Sequence, residues 1–284
     1  MTAWGPQALR SDRRWCHSRP LLGVGQHVVT ARISTLPDKI SWFRGDIEWG
    51  VSIADPGASI ALSGSNVEVF FLPAVPVIPF TSGVWAEALR FLCGKAGVLG
   101  QKTASEVTEN ITRYCHSSHG LEYDTVRGAP RYGNPQAREF LLKDFMKRAE
   151  RQCCCYDMAS AVQVLAAALG VATEWLYMNP YGFIHTTNLI GVGACNNPFY
   201  MGNGSDKIVL PRDRNRTPFG NHAFASLSGK ILDACAGPHV GTESEQEYID
   251  SSIDSAEYLY PNPARFRAGA VADINIIPPV TTIR

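Results

Sequence analysis

The most constraining feature of this 284-residue chain is an apolar run from Cys155 to Gly170. Its large side chains recur at steps of three and four residues with alanines between them, at Met158, Val162, Leu165 and Leu169. This period is that of an α-helix, and the absence of charged residues after Asp157 indicates that the helix is buried. Gly170 is the expected end of the helix.

Cys155 would lie in the first turn of this helix. The first backbone N–H groups of a helix have no partner within it, and they carry the positive end of the helix dipole. Both effects favour a thiolate over a thiol, and the thiolate is the nucleophilic form of cysteine. We therefore expect Cys155 to be reactive, with Cys154 and Cys153 as the next candidates.

Two short apolar runs further along the chain, one beginning at His222 and one ending at Asp233, flank the polar segment 226–229. They predict a β-hairpin with a four-residue turn. Symmetric folding about this turn would bring His222 directly opposite Asp233, with Cβ atoms about 5 Å apart. The carboxylate would then orient the imidazole, which is the arrangement that a nucleophile and its base require.

Thiol, imidazole and carboxylate in this order resemble the transglutaminase-like branch of the papain-like cysteine enzymes. In that family the nucleophile begins a helix as Cys, two variable residues, an apolar residue and a small residue, and the helix runs on to Leu-Gly. Here Cys155, Met158, Ala159 and Leu169-Gly170 stand at those offsets. The family's His and Asp lie on two following strands, and His222 and Asp233 match them. The resemblance covers roughly residues 80 to 250.

The resemblance implies an α+β fold with a papain-like or transglutaminase-like core, in which the nucleophile helix packs on an antiparallel sheet. Composition and periodicity divide the chain into a flexible N-terminal tail (1–26), a β-rich unit (27–80), the catalytic core (81–255) and an extended, proline-rich C-terminal tail (256–284). Helical periodicity predicts further helices over 84–98, 104–115 and 135–151.

The family also implies an oxyanion hole beside the backbone N–H of the nucleophile. Candidates for the side chain that completes it are, by residue type, Gln152, Trp85 and Tyr123. Relatives commonly have Gly-Gln before the nucleophile, whereas here Gln152 is followed by two further cysteines. A long polar and aromatic loop is predicted to border the substrate cleft. Its candidate substrate-binding residues are Asn197, Tyr200, Arg212 and Arg214.

The activity implied is that of a transglutaminase-like cysteine enzyme, which forms a thioester from an amide or ester and passes the acyl group to an amine or to water. The alternatives are a cysteine amide hydrolase, either protease or deamidase, and an inactive fold relative that acts as a binding module. The substrate would be a protein, a peptide or a small amide. Thiol reactivity separates the classes, because only an enzyme requires one cysteine of low pKa.

No cofactor and no metal are expected. The run Cys153 to Cys155 lacks the spaced thiol pairs of structural zinc sites, although His185, Cys195 and Cys235 lie downstream. No Asp-rich loop of the calcium-binding kind is evident. Adjacent thiols instead indicate sensitivity to oxidation, since one can trap a sulfenic acid formed on its neighbour as a disulfide.

Charge and hydropathy limit the kinds of partner that the chain is expected to bind. The chain has 26 basic and 26 acidic residues, so nothing indicates a nucleic-acid or anionic-membrane partner. No stretch of 18 apolar residues and no secretory signal is present, which predicts a soluble protein without a membrane partner. Eight cysteines, three of them consecutive, fit reduced thiols in the cytoplasm. An organelle presequence within residues 1–26 is the alternative.

Overall fold

A computed structural model describes residues 2–4, 35–52, 59–61, 64–179, 187–195, 221–252 and 273–284. The chain is mixed α+β and divides into two compact units, residues 1–72 and 73–284. In the sequence analysis the β-rich unit ended at residue 80, whereas this division falls after Leu72. None of the described helices is both long enough and apolar enough to cross a membrane.

Every described element of the first unit is a strand. They are β1 (Thr2–Trp4), β2 (Ser41–Ser52), β3 (Ser59–Ala61) and β4 (Ser65–Phe71). The long strand β2 pairs antiparallel with each of the others. On one face of the β2–β4 pair, the Trp42 ring stacks on Phe70 with centroids 5.8 Å apart, and Trp42 Nε1 donates to Glu68 Oε1 at 2.9 Å.

The second unit is built on a five-stranded antiparallel sheet. Its helices are α1 (Ala86–Gly94), α2 (Ala104–Ser117), α3 (Leu142–Lys147), α4 (Cys155–Ala167) and α5 (Glu245–Ser252). Its strands are β5 (Glu122–Tyr123), β6 (Gly133–Asn134), β7 (Glu139–Phe140), β8 (Gln152–Cys153), β9 (Glu174–Asn179), β10 (Thr187–Leu189), β11 (Gly193–Cys195), β12 (His222–Leu227), β13 (Lys230–Asp233), β14 (His239–Ser244), β15 (Asp273–Ile277) and β16 (Thr282–Ile283). The central sheet has the order β14-β13-β12-β9-β15.

Helix α4 packs on this sheet, against β12, β9 and β13. Trp175 pairs with Ala225 and Tyr177 with Ala223, so these four side chains share one sheet face. Tyr156 of α4 contacts both aromatic rings, which places α4 on that face. The two alanines of β12 leave room for the helix, and the alanines of α4 itself allow the close approach.

The end of α4 agrees with its predicted stop signal. The last helical residue is Ala167, and the chain then closes through hydrogen bonds from Gly170 and Val171 to the carbonyls of the last turn. Gly170 has φ +82°, and a Cβ there would lie 2.7 Å from the side chain of Ala74. Glycine is therefore required at this position for both its conformation and its size.

The helix predicted over 135–151 is wrong. Residues 133–140 form the β6–β7 hairpin, and only the short α3 follows. Asn134 Oδ1 accepts the backbone N–H of Ala137 at 3.0 Å, and Arg138 has φ +54°, so the polar residues form a turn. Phe140 and Phe145 are both buried nonetheless, so their spacing reflects a shared core position and not one continuous helix.

The β12–β13 hairpin forms with a register different from the one predicted. Ala225 faces Leu232 and Leu227 faces Lys230, so the turn has two residues, Ser228 and Gly229, at φ +52° and +75°. Positive φ at both positions is the twist that a tight hairpin favours. Continued by one pair, this register sets Asp233 opposite Phe224 rather than His222. Because the shift is two residues, His222 and Asp233 still share a face.

The described part of the predicted C-terminal tail forms two strands that pair with strands of the second unit. Strand β15 forms the edge of the central sheet by pairing with β9, and β16 pairs parallel with β7. Between them, the backbone N–H of Val280 donates to Gln163 Oε1 at 3.0 Å, and Val280 is buried. The prolines at 278 and 279 lie in the link between two strands.

Candidate active site

The start of α4 is fixed by a reciprocal cap. Cys154 is the N-cap residue, and its side chain accepts the backbone N–H of Asp157 while Asp157 Oδ2 accepts the backbone N–H of Cys154 at 3.0 Å. Strand β8, held parallel to β5, leads directly into this cap. Cys155 is therefore the first helical residue, where the helix leaves its N–H groups without internal partners.

Asp157 also ties the preceding loop to the helix. Its carboxylate is fully buried and accepts the backbone N–H groups of Arg131, Tyr132 and Gly133, the last two at 2.7 Å. Burial raises the pKa of Asp157, but each of these partners is a donor, so the site suits the carboxylate. Glycine suits position 133 because a Cβ there would lie only 3.0 Å from Ser160 Oγ, which is closer than an ordinary van der Waals contact.

His222 and Asp233 meet in the interior. His222 Nε2 and Asp233 Oδ2 lie 2.7 Å apart, with side chains 3% and 1% exposed. The other carboxylate oxygen accepts the backbone N–H groups of Cys235 at 2.7 Å and Ala236 at 3.0 Å. Since Nε2 is engaged by the carboxylate, Nδ1 is the ring nitrogen that can face a nucleophile.

Cys155 is the group that His222 meets. The two side chains are hydrogen-bonded, and the backbone N–H of Ala223 also donates to the sulfur. A hydrogen bond from Cys154, followed by the bond and charge of His222, lowers the pKa of Cys155 to about 5 in spite of burial. The arrangement thus favours a thiolate beside an imidazolium at neutral pH.

The two partners have the opposite pKa shifts that such an ion pair requires. Burial alone would lower the pKa of His222, but the charge and hydrogen bond of Asp233 and the contact with Cys155 raise it to about 10. Burial likewise opposes ionisation of Asp233, yet His222 and the backbone N–H donors hold the pKa of that carboxyl well below its usual range. The triad residues predicted from the sequence are therefore in contact.

The other cysteines whose burial the structure describes are ordinary buried thiols. Six described cysteines are free and buried. Burial raises the pKa of Cys153 and Cys235, and it raises that of Cys93 to about 11. In Cys154 the shared hydrogen bond with Cys155 raises the pKa first and burial adds to it. Within the described chain, the lowered pKa of Cys155 thus distinguishes it from these thiols.

Tyr248 is a site residue that the sequence analysis missed. It lies on α5, is fully buried, and its hydroxyl donates to Asp233 Oδ2 at 2.9 Å. Its ring contacts Phe224 and His239 with centroids 4.9 and 4.8 Å away. In the sequence its only distinction is that it is the aromatic residue of an otherwise mostly polar segment, 245–252, and this does not indicate its partner.

Tyr156 links the nucleophile to the strand of the base. Its hydroxyl donates to Asn221 Oδ1 at 2.8 Å, so the residue after Cys155 is bonded to the residue before His222. Its ring lies 5.8 Å from Trp175 and 6.2 Å from Tyr177. These contacts hold the first turn of α4 against β9 and the start of β12.

The three oxyanion candidates lie in different surroundings. Tyr123 is buried, and burial followed by the charge of Cys155 raises the pKa of its hydroxyl. Gln152 Oε1 accepts from Arg131 Nη2 at 3.2 Å. Trp85 is the N-cap residue of α1, and no hydrogen bond or ring contact among the described residues joins it to the triad. All three remain predictions.

The substrate-binding candidates Asn197, Tyr200, Arg212 and Arg214 lie outside the described residues, so their role also remains a prediction. His185, named with the cysteines in the metal hypothesis, lies outside them as well. Over the ranges that the structure describes, no group of three or more His, Cys, Asp and Glu side chains is arranged to hold a metal ion. The thiols, imidazole and carboxylate at the site bond to each other instead.

Comparisons with known proteins add no relative. A scan against models of protein families, a search of curated proteins and a search of solved structures each found no match. The case for an active site therefore rests on the geometry of its residues: a thiol at the start of a buried helix, an imidazole in contact with it, and a buried carboxylate 2.7 Å from that imidazole.

Proposed function

We propose that this chain is a transglutaminase-like cysteine enzyme with a papain-like core, Cys155 as nucleophile, His222 as acid and base, and Asp233 as the residue that orients His222. One observation carries the proposal: the thiol at the start of α4 contacts an imidazole whose far nitrogen is held by a buried carboxylate at 2.7 Å. The burial of two charged groups, the His222 imidazolium and the Asp233 carboxylate, costs free energy, and a contact that served only the packing of the core would not require it.

The first half-reaction follows from this arrangement. The Cys155 thiolate attacks the carbonyl carbon of an amide or ester, and the carbonyl oxygen takes the negative charge of the tetrahedral intermediate. When that intermediate collapses, the carbon–nitrogen or carbon–oxygen bond breaks. His222 Nδ1–H gives its proton to the departing amine or alcohol, leaving a thioester on Cys155 and a neutral imidazole.

The second half-reaction reverses these roles. An amine or a water molecule attacks the thioester carbonyl, and neutral His222 removes its proton while Cys155 leaves as the thiolate. The product is a new amide or a carboxylic acid. Asp233 stays ionised throughout, because its oxygens accept bonds from His222, Tyr248 and two backbone N–H groups.

Stabilisation of the oxyanion is assigned to the start of α4. The backbone N–H of Cys155 lies in the first turn, where N–H groups point out of the helix and its dipole favours negative charge. Tyr123 is the side-chain candidate that we favour, because it is buried and because burial and the charge of Cys155 raise the pKa of its hydroxyl, which therefore stays protonated and can donate. The expected donors of the acyl group are proteins, peptides or small amides. We place the enzyme in the cytoplasm, because the six free cysteines among the described residues fit a reducing environment.

Acylation by an activated ester tests the proposal without knowledge of the natural substrate. Incubation with p-nitrophenyl acetate, followed by mass spectrometry of the intact protein and its peptides, should place an acetyl group on Cys155. Hydroxylamine should then release it as the hydroxamate. The same treatment of Cys155→Ser and His222→Ala should give little adduct.

Competition between hydroxylamine and water separates the two enzymatic alternatives. Preferential hydroxamate formation at low hydroxylamine concentration supports acyl transfer, whereas acetate alone supports hydrolysis. Equal acetylation of all accessible nucleophiles, with no preference for Cys155 and no effect of His222→Ala, would favour the inactive binding module.

A further inference from the structure

The position of Cys154 is unusual for a helix cap. It is the N-cap residue of α4, with φ −135° and ψ −177°, and it is 1% exposed. N-cap positions usually carry Ser, Thr, Asp or Asn, whose oxygen accepts a backbone N–H of the first turn. Here the sulfur of Cys154 accepts the N–H of Asp157 in that role.

The same sulfur also contacts the nucleophile. The side chains of Cys154 and Cys155 are hydrogen-bonded to each other. Only one of two adjacent sulfurs can be ionised at low cost, since two buried like charges repel. His222 and the N–H of Ala223 favour the charge on Cys155, whereas the Asp157 carboxylate disfavours it on Cys154. Cys154 is therefore the thiol, and its S–H is the donor.

The two bonds of Cys154 act in the same direction. A chain of hydrogen bonds polarises its members, so the N–H of Asp157 that donates to the Cys154 sulfur makes the S–H a better donor. A thiol is a weak donor in general, but a bond to an ionised acceptor in a dry site is roughly twice as strong as one between neutral groups.

We propose that Cys154 is a positioning residue for Cys155: as a thiol N-cap, it passes the hydrogen bond of the helix start on to the nucleophile and holds the Cys155 thiolate in place. This inference rests on the proposed function, in which Cys155 is the nucleophile. It also gives a reason for a cysteine at position 154, directly before the nucleophile, where relatives commonly have glutamine.

Other groups around Cys155 bear on the same ionisation. His222 and the backbone N–H of Ala223 bond to it from β12, and Tyr123 of β5 interacts with it electrostatically. Tyr156 and Asp157 are on its own helix, and the thiols of Cys153 and Cys235 lie close enough to interact electrostatically. None of these groups is altered by substitution of Cys154, so a change in the titration of Cys155 can be assigned to the loss of the two bonds that Cys154 makes.

The test compares Cys154→Ala with Cys154→Ser. Alanine removes both the cap and the donor, whereas serine keeps both in a group of similar size. The measurement is the rate of Cys155 alkylation by iodoacetamide from pH 3.5 to pH 8, followed on the Cys155 peptide by mass spectrometry. Cys93→Ala serves as the control, because it removes a buried thiol of α1 that has no part in the site.

Cys154→Ala should shift the midpoint of the profile upward by about one pH unit, which lowers the rate at pH 5 about fivefold, while the plateau at high pH is kept. Cys154→Ser and Cys93→Ala should keep the wild-type midpoint. A plateau that falls without any shift would mean that Cys154 only supports the fold, and it would overturn the proposal.

The serine variant keeps the proposal testable even if the alanine variant does not fold. A midpoint raised by a full unit in Cys154→Ser would overturn the inference, because the donor is still present. Failure of the proposed function gives a different result: His222→Ala would then leave the wild-type profile unchanged, whatever substitutions at Cys154 do.

Discussion

Replacement of Asp233 by Asn separates orientation from charge in the candidate triad. Asp233 Oδ1 accepts two backbone N–H groups, at 2.7 and 3.0 Å, so the amide oxygen of Asn should occupy that position. The amide N–H₂ then faces His222 Nε2. Because two N–H groups cannot face each other, Nε2 must give up its proton, and the imidazolium is lost.

The magnitude follows from the pKa of Cys155. At about 5 the thiol is mostly ionised at pH 6, whereas at its ordinary value of 9.0 only about one molecule in a thousand is ionised. A return of the pKa to that ordinary value would therefore lower the alkylation rate at pH 6 about a thousandfold. Part of the lowering of the pKa comes from Cys154, which the substitution leaves intact, so we expect a loss between about tenfold and about a thousandfold.

The assay is iodoacetamide labelling of the Cys155 peptide at pH 6, with Asp250→Asn as the matched control. Asp250 lies on the exposed side of α5 and bonds Gln246, so the same chemical change is made there without contact to the triad. A rate for Asp233→Asn within threefold of the Asp250→Asn rate would refute the argument, because the imidazolium would then not depend on the carboxylate.

Three further outcomes are expected. Tyr248→Phe removes the 2.9 Å bond to Asp233, so urea unfolding should show a loss of about 1.5–3 kcal/mol, and an unchanged free energy of unfolding would contradict that bond. Asp157→Asn replaces an acceptor of several buried N–H groups, and should destabilise by at least about 2 kcal/mol in the same assay; a smaller effect would mean the loop 131–133 is held otherwise. Stability should also follow pH in a defined way. The raised pKa of His222 contributes stability that is lost as pH rises from 6.5 through about 10, and the lowered pKa of Cys155 contributes stability that is lost as pH falls from 9.0 through about 5. Between pH 6.5 and 9.0 these two changes have opposite signs and cancel, so the free energy of unfolding of the wild type should be constant over that range and decline on both sides of it. In Cys155→Ser, urea unfolding over the same range should show no such plateau.

The helix of the nucleophile could be predicted because its signal is local. Leucines, valines and alanines at helical spacing define α4 whatever packs against it, and Gly170 marks its end. The pair His222 and Asp233 was predicted on one face for a similar reason. Alternation along strands has a period of two, so the unforeseen tight turn at Ser228-Gly229 moved the register by two residues and left both side chains together.

The rest of the site depends on contacts between distant parts of the chain. Asp157 accepts N–H groups about 25 residues away, and Tyr248 reaches Asp233 from a helix that follows another strand. Neither leaves a periodic trace in the sequence. Strand β15 pairs with β9 although a long stretch of chain separates them, and the proline-rich sequence on either side of β15 indicated an extended tail instead. The hairpin at 133–140 was missed because a turn formed by Asn134 outweighs helical spacing.

The most direct test of the central claim is the alkylation rate of each cysteine at pH 6, read peptide by peptide, in the wild type and in His222→Ala. We expect Cys155 to react far faster than the other cysteines of the described chain, and loss of His222 to slow its reaction by at least tenfold. Uniformly slow labelling, or fast labelling of Cys155 that persists without His222, would contradict an activated thiol–imidazole pair.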